Sequence, residues 1–147
     1  MMNYGYQQYK TQSVETMTKG EMLILLYDEI NKRLLRARTY FEKGDMDLFE
    51  ADVQRAIDIV NYLTKSLDRK YPISNDLYRL YDFITFELMS LKSGRNLALI
   101  DDITPLIKDL RESFKEADRL TKKDPSVGAG IGGTTTSVTF GVGWWRR

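Results

Sequence analysis

The stretch TKGEMLILLYDEINKRLLRARTYF, residues 18–41, carries the signals of one complete amphipathic helix. Thr18 and Glu21 have the spacing of a capping box, in which the two side chains satisfy free N–H groups of the first turn. Apolar residues then recur at steps of three and four, which places them on one helical face. They are Leu23, Leu26, Ile30, Leu34, Ala37 and Phe41. Gly44 fits the end of this helix.

Two further segments repeat this periodicity. The second helix is predicted to start at Asp47, and the segment DRKYPIS ends it because Pro72 disfavours helix at the preceding residue. Ser74 or Asn75 can cap the third helix, and residues 93–94 (Ser-Gly) close it. Their stripes are Phe49, Val53, Ala56, Ile57, Val60, Leu63 and Leu67 in the second helix, and Leu77, Leu80, Tyr81, Ile84, Leu88 and Leu91 in the third.

A fourth helix is predicted to run to about Lys122, with Ile100, Ile103, Ile107, Leu110, Phe114 and Ala117 in step. Pro105 is tolerated if this helix begins near Asp102 or Thr104, and otherwise kinks it. Four helices with short connections predict an all-α, antiparallel, up-down four-helix bundle over residues 18–123.

The two ends of the chain differ from the bundle. Residues 1–17 contain Tyr4, Tyr6 and Tyr9 without a helical period, and are predicted to be a docking arm, with an unstructured leader as the alternative. Residues 124–147 are rich in Gly and Thr and are predicted to be a disordered tail. Within that tail, the alternation TSVTFGV leaves open a strand formed on a partner.

Composition argues against most catalytic functions. The chain contains no Cys and no His, so it lacks a thiol nucleophile, the commonest general base and the commonest transition-metal ligand. We therefore expect no enzyme activity, no cofactor and no metal. The net charge of +1 argues against a nucleic-acid partner.

No apolar run approaches the roughly 20 residues that span a bilayer, and the N-terminus has no signal-peptide pattern. The sequence therefore predicts a cytoplasmic protein without membrane insertion.

Apolar residues outside the core stripes are the main indication of function. When the second and third helices are drawn as wheels, several large side chains fall off the stripe. They are Leu48, Ile59, Tyr62, Tyr78, Phe83, Phe86 and Met89. Any one of them can cover the edge of a wide core. As a set, they predict an exposed groove that receives an amphipathic helix from a partner.

Several segments, in this order and spacing, resemble the flagellar secretion chaperones of the FliS family. The matching residues are Tyr6 and Tyr9, 14–21 (VETMTKGE), 26–28 (LYD), 56–60 (AIDIV), Leu63, 66–68 (SLD) and 75–83 (NDLYRLYDF). The resemblance covers about residues 4–122. It departs at Leu91-Lys92, where the family often has Ala-Asn, and at Phe114, where it usually has Trp. The tail has no counterpart that can be aligned.

The resemblance implies a cytoplasmic, non-enzymatic chaperone. Such a protein binds the disordered C-terminal segment of flagellin in hydrophobic grooves, prevents premature polymerisation and delivers flagellin to the flagellar type III export gate. It also implies that the arm covers part of the bundle when cargo is absent. Tyr6 and Tyr9 match positions associated with docking on the export-gate membrane protein FlhA.

Two other functions remain open at this point. The same apolar excess suits a self-associating bundle with a structural or adaptor role, and a weak homodimer is compatible with a chaperone as well. An enzyme of unfamiliar type is disfavoured by the missing His and Cys.

Overall fold

A computed structural model describes residues 17–123, which form four helices and contain no β-strand. The helices are α1 (Lys19–Glu42), α2 (Met46–Lys65), α3 (Pro72–Gly94) and α4 (Ala98–Lys123). α1 packs against α2 and α4, and α2 also packs against α3, whereas the contact between α3 and α4 is small. The predicted all-α four-helix bundle is confirmed. Apart from Met17, the arm with Tyr6 and Tyr9 lies outside the described residues, and so does the tail 124–147.

The first helix has the predicted ends. The Thr18 hydroxyl accepts a hydrogen bond from the Glu21 N–H at 3.1 Å, and the Glu21 carboxylate accepts one from the Thr18 N–H at 3.1 Å. The capping box is therefore confirmed. After α1, Gly44 has a φ of +81°, a conformation that glycine adopts at little cost.

Two predicted helix starts are wrong. α2 begins at Met46, one residue earlier than predicted, because the Asp45 carboxylate caps it by accepting from the Leu48 N–H at 3.2 Å. α3 begins at Pro72, ahead of both predicted caps, and Ser74 lies buried inside the helix. Proline is favourable at the first helical position, where its missing N–H needs no partner and its φ is already helical.

Pro105 lies inside α4, because this helix begins at Ala98 and not near Asp102 or Thr104, the starts that would have placed the proline in the first turn. A proline in a helix interior has no N–H to give to the carbonyl one turn earlier. Next to it, the Asn31 amide of α1 donates to the Thr104 carbonyl at 3.4 Å. α1 thus contacts the backbone of α4 beside the proline.

The core is built from the predicted stripes, and Leu26, Phe41, Leu80 and Leu110 pack at its edge. The structure adds Tyr27, which is fully buried like Tyr81. The two hydroxyls are 2.6 Å apart and link α1 to α3, while Phe114 stacks on Tyr27 at 6.1 Å between ring centroids. Burial raises the pKa of Tyr27 and of Tyr81 above the ordinary value for tyrosine.

Ion pairs lie along both sides of α1. Towards α2, Arg33 donates to the buried Asp52 carboxylate at 3.1 Å, and Arg36 lies 3.6 Å from its second oxygen. Towards α4, Arg38 pairs with Asp101 at 2.6 Å, and a further pair joins residues 28 and 111. Both sides of α1 are therefore joined to a neighbouring helix by charged groups as well as by the core.

Candidate functional site

Six of the seven residues predicted for the groove are exposed. They are Leu48, Tyr62, Tyr78, Phe83, Phe86 and Met89. The exposed fraction reaches 57% for Met89 and 67% for Phe86, which is high for large apolar side chains in the middle of a helix. Water contact at these positions has a free-energy cost that a partner would remove.

Ile59 is the exception, and its placement in an exposed groove is wrong. Only 7% of Ile59 is exposed, and it belongs to the core. It lies two turns after Asp52 on nearly the same face of α2. Because Asp52 is paired with Arg33 and Arg36, that face is directed at α1. The neighbouring helix therefore covers a residue that the wheel of α2 alone leaves outside.

A groove of about 950 Å³ lies between α2 and α3 and is lined in part by Phe86 and Met89. Ile57 and Asn61 of α2 line the opposite wall, and Thr85 lies beside Phe86 on the α3 wall. The groove is open to solvent and is lined by apolar side chains, by uncharged polar ones and by the charged residues Glu50, Lys92 and Arg95. These are the properties expected of a site for a helical or extended peptide.

Two side-chain bonds join α2 to α3 at one end of this groove. The Lys92 ammonium donates to the Gln54 side-chain carbonyl at 2.8 Å, and Arg95 pairs with Glu50 at 3.1 Å. All four residues also line the groove. They hold the two walls together at the C-terminal end of α3.

The α3 strip consists of Tyr78, Asp82, Phe86 and Met89. On a helical wheel these four residues lie within about 80° of one another on the outer face of α3. At its first residue, the Arg69 guanidinium lies 4.4 Å from the centre of the Tyr78 ring. The strip is thus an exposed apolar surface with one carboxylate near its middle.

The other exposed residues point elsewhere. On α2, Leu48 and Tyr62 lie about 140–180° from Ile57, the residue that faces the groove. On α3, Phe83 lies about 120° from Met89. The predicted residues therefore do not form one groove: Phe86 and Met89 of the α3 strip line it, and Leu48, Tyr62 and Phe83 lie on separate flanks.

Two exposed apolar residues were missed by the sequence reasoning. Leu25 and Leu35 of α1 are exposed, Leu35 to 66%. They lie about 160° and 120° from Leu23 on the wheel, so the test applied to α2 and α3 would have found them in α1. Leu35 borders a small cavity between α1 and α4, near Pro105 and the Arg38–Asp101 pair.

The described residues offer no group of three or more His, Cys, Asp or Glu side chains placed to hold a metal ion. Within residues 17–123, no helix is both long and apolar enough to cross a membrane.

Comparison with known proteins agrees with the resemblance seen in the sequence. The family model of the flagellar protein FliS matches residues 1–121. The flagellar secretion chaperone FliS of Bacillus subtilis is 25% identical over 126 residues, which cover 86% of this chain and 95% of the relative. The protein of the same name from Salmonella typhimurium is 27% identical over 119 residues, covering 76% of this chain and 88% of the relative.

A helical bundle with an exposed apolar strip, together with these relatives, defines a flagellar secretion chaperone. The chain belongs to the FliS family, whose model covers all four helices except the last residues of α4. This is a family of chaperones, which is not a class of enzyme.

Proposed function

We propose that this chain is the export chaperone of flagellin. In the cytoplasm it binds the disordered C-terminal segment of flagellin, prevents premature polymerisation and delivers the protein to the flagellar type III export gate. The observation that supports this most directly is the α3 strip beside the α2–α3 groove in a member of the FliS family. The chaperone acts by binding alone.

The physical basis of binding is burial of apolar surface. An incoming amphipathic helix covers side chains that are now exposed, and Phe86 and Met89 present the largest exposed fractions of the strip. Burying such a side chain completely from full exposure contributes about 1.5–3 kcal/mol, and a ligand gains the part of this that corresponds to the surface still exposed. Ordering a disordered segment costs about 2–5 kcal/mol or more, so several contacts along the groove are needed.

The test is retention of purified flagellin by the full-length chain, with flagellin either intact or lacking its C-terminal segment. We expect the intact form to be retained and the truncated form to be lost. A double variant, Phe86→Asp with Met89→Asp, should weaken binding of the intact form by about a hundredfold, because two carboxylates would have to be buried against an apolar ligand.

Leu35→Asp is the matched control, since Leu35 is as exposed as Phe86 but lies on α1, away from the groove. It should leave binding unchanged. Equal retention of both flagellin forms would contradict the proposal. A chain that stays tightly dimeric on dilution and ignores flagellin would instead establish the self-associating bundle.

The N-terminal arm is proposed to dock on FlhA while flagellin is bound. Tyr6 and Tyr9 offer large apolar faces with polar tips, which suit a docking segment. We expect Tyr9→Ala to weaken recruitment of the loaded chaperone to the cytoplasmic domain of FlhA by about tenfold, and to change flagellin affinity by less than twofold. A loss of flagellin affinity as large as the loss of recruitment would place Tyr9 in the flagellin site.

A further inference from the structure

The α3 strip combines an apolar surface with a negative charge that has no ion-pair partner among residues 17–123. Tyr78, Phe86 and Met89 supply the apolar part, and Asp82 lies between them on the wheel. Asp82 is exposed and makes no ion pair with another described residue. A ligand that fits this surface carries aromatic or aliphatic side chains together with a cation.

Residues 138–147 of the same chain, VTFGVGWWRR, have this chemistry. The segment contains Phe140, Trp144 and Trp145, followed by Arg146 and Arg147, and it has no acidic residue. Aromatic rings suit the apolar strip, and an arginine can pair with Asp82. Sequence and strip are therefore complementary in both apolar character and charge.

The place where α4 ends brings this segment within reach. Gly20 lies against Asp118, so the end of α4 is beside the start of α1. Because α1 and α2 are antiparallel, this is also the end of the bundle where α3 begins and where Tyr78 lies. The 14 residues 124–137 are rich in Gly, Thr and Ser, and a chain of this kind spans about 20 Å on average and at most about 45 Å.

That reach matches the dimensions of the bundle. Neighbouring helix axes lie about 8–10 Å apart, and the strip from Tyr78 to Met89 is about 16 Å long. A linked segment also acts at an effective concentration in the millimolar range, so weak intrinsic affinity is enough for it to stay bound.

We propose that residues 138–147 dock on the α3 strip of their own chain and shield it until flagellin displaces them. The docking itself stands on the complementarity and reach described above. The shielding role rests on the proposed function, because it assigns the strip to cargo as well.

Tryptophan fluorescence tests the docking without flagellin. Trp144 and Trp145 are the chain's two tryptophans, so quenching by acrylamide reports on this segment alone. We expect the full-length chain to be quenched about threefold less efficiently than the free peptide 138–147. The Phe86→Asp/Met89→Asp variant should be quenched like the peptide, and Leu35→Asp like the unmodified chain, because only the first alters the strip.

Quenching of the full-length chain that equals that of the peptide would overturn the proposal. Protection that survives in the strip variant, or that disappears on dilution, would also overturn it, the latter by indicating a second copy as the occupant. Asp82→Lys should raise quenching towards the value of the peptide. Unchanged quenching would show that the charge of Asp82 does not contribute to docking.

Shielding is tested by flagellin affinity in the full-length variant Trp144→Ser/Trp145→Ser. We expect this variant to bind the flagellin C-terminal segment about tenfold more tightly, since a competing intramolecular state is removed. Equal affinity would overturn the shielding role. If neither protein bound flagellin while the quenching results held, the proposed function would fail and the docking would stand.

Discussion

The two sides of α1 and the outer face of α3 differ in their side chains and in how far neighbouring helices cover them. Along α1, charged residues pair across to both neighbours, as Arg33 does with Asp52 and Arg38 with Asp101. Along the outer face of α3, Tyr78, Phe86 and Met89 are exposed and no neighbouring helix covers them. Side-chain bonds from Lys92 to Gln54 and from Arg95 to Glu50 join α2 to α3 at one end of the groove.

This difference separates stability from binding within one small bundle. α1 is packed on both sides, so a change in its contacts should affect folding. The outer face of α3 contributes little to the packed core, and a change there should affect what binds to it. α3 belongs to both categories, because its inner face carries Leu88 and Tyr81 while its outer face carries the strip.

Leu88 and Met89 are adjacent in sequence and give the sharpest test of this division. Leu88 is fully buried and Met89 is 57% exposed. We expect Leu88→Ala to lower the free energy of unfolding by about 3 kcal/mol, through lost burial and the cavity left behind. Met89→Ala should change it by less than about 0.5 kcal/mol.

Urea unfolding followed by circular dichroism measures both changes. Comparable losses for the two variants would show that the outer face is part of the folded core, and the division between stability and binding would be lost.

The buried Tyr27–Tyr81 pair provides a pH-dependent test of the packed core between α1 and α3. The pKa of each phenol is raised in the folded state, so folding favours the protonated form. The contribution to stability is therefore complete below the unfolded-state pKa of about 10 and is lost as the pH rises above it. By pH 10.5 the two phenols together should have reduced the free energy of unfolding by about 2 kcal/mol.

The double variant Tyr27→Phe/Tyr81→Phe removes this term and serves as the reference. Its stability should fall less steeply between pH 9 and pH 10.5 than that of the unmodified chain, as measured by urea unfolding at each pH. Parallel curves for the two proteins would show that the buried phenols do not govern the alkaline loss of stability.

Alanine substitutions at two helical glycines should have the smallest effects on the free energy of unfolding, and these effects should have opposite signs. A Cβ at Gly20 would lie 2.4 Å from an Asp118 carboxylate oxygen, where α1 approaches α4 closely, whereas a Cβ at Gly94 would meet nothing within 4 Å. Gly20→Ala should cost about 1 kcal/mol, since Asp118 has to move. Gly94→Ala should be neutral or stabilise by up to about 0.5 kcal/mol.

Thermal unfolding of the two alanine variants compares these positions directly. A Gly20→Ala protein as stable as Gly94→Ala would mean that the α1–α4 contact adapts at no cost, and α1 would be less tightly enclosed than its ion pairs suggest.

The local features of the fold were predictable because each depends on a few neighbouring residues. The Thr18–Glu21 box and the stop at Gly44 are examples. The start of α3 was harder to predict from the sequence, because Pro72 is compatible both with ending one helix and with beginning the next. Pro105 posed the same ambiguity, and the structure placed it inside α4.

The candidate site was predictable in its residues but not in its arrangement. A wheel identifies side chains that leave the stripe, and six of seven such residues are exposed. It does not show which of them lie near one another, so Leu48 and Phe83 were assigned to a groove that, of the predicted residues, Phe86 and Met89 line. The prediction for Ile59 was wrong for a related reason, because packing between helices buries this side chain.

The sequence by itself determined four amphipathic helices, the capping box of the first and an excess of apolar side chains, because helix formation and periodicity are local properties. Only the tertiary structure decided which flank of each helix is covered. It buried Ile59 in the core, placed the hydroxyl of Tyr27 against that of Tyr81, and left Phe86 and Met89 open to solvent. These outcomes depend on contacts between residues distant in the chain, which no single helix specifies.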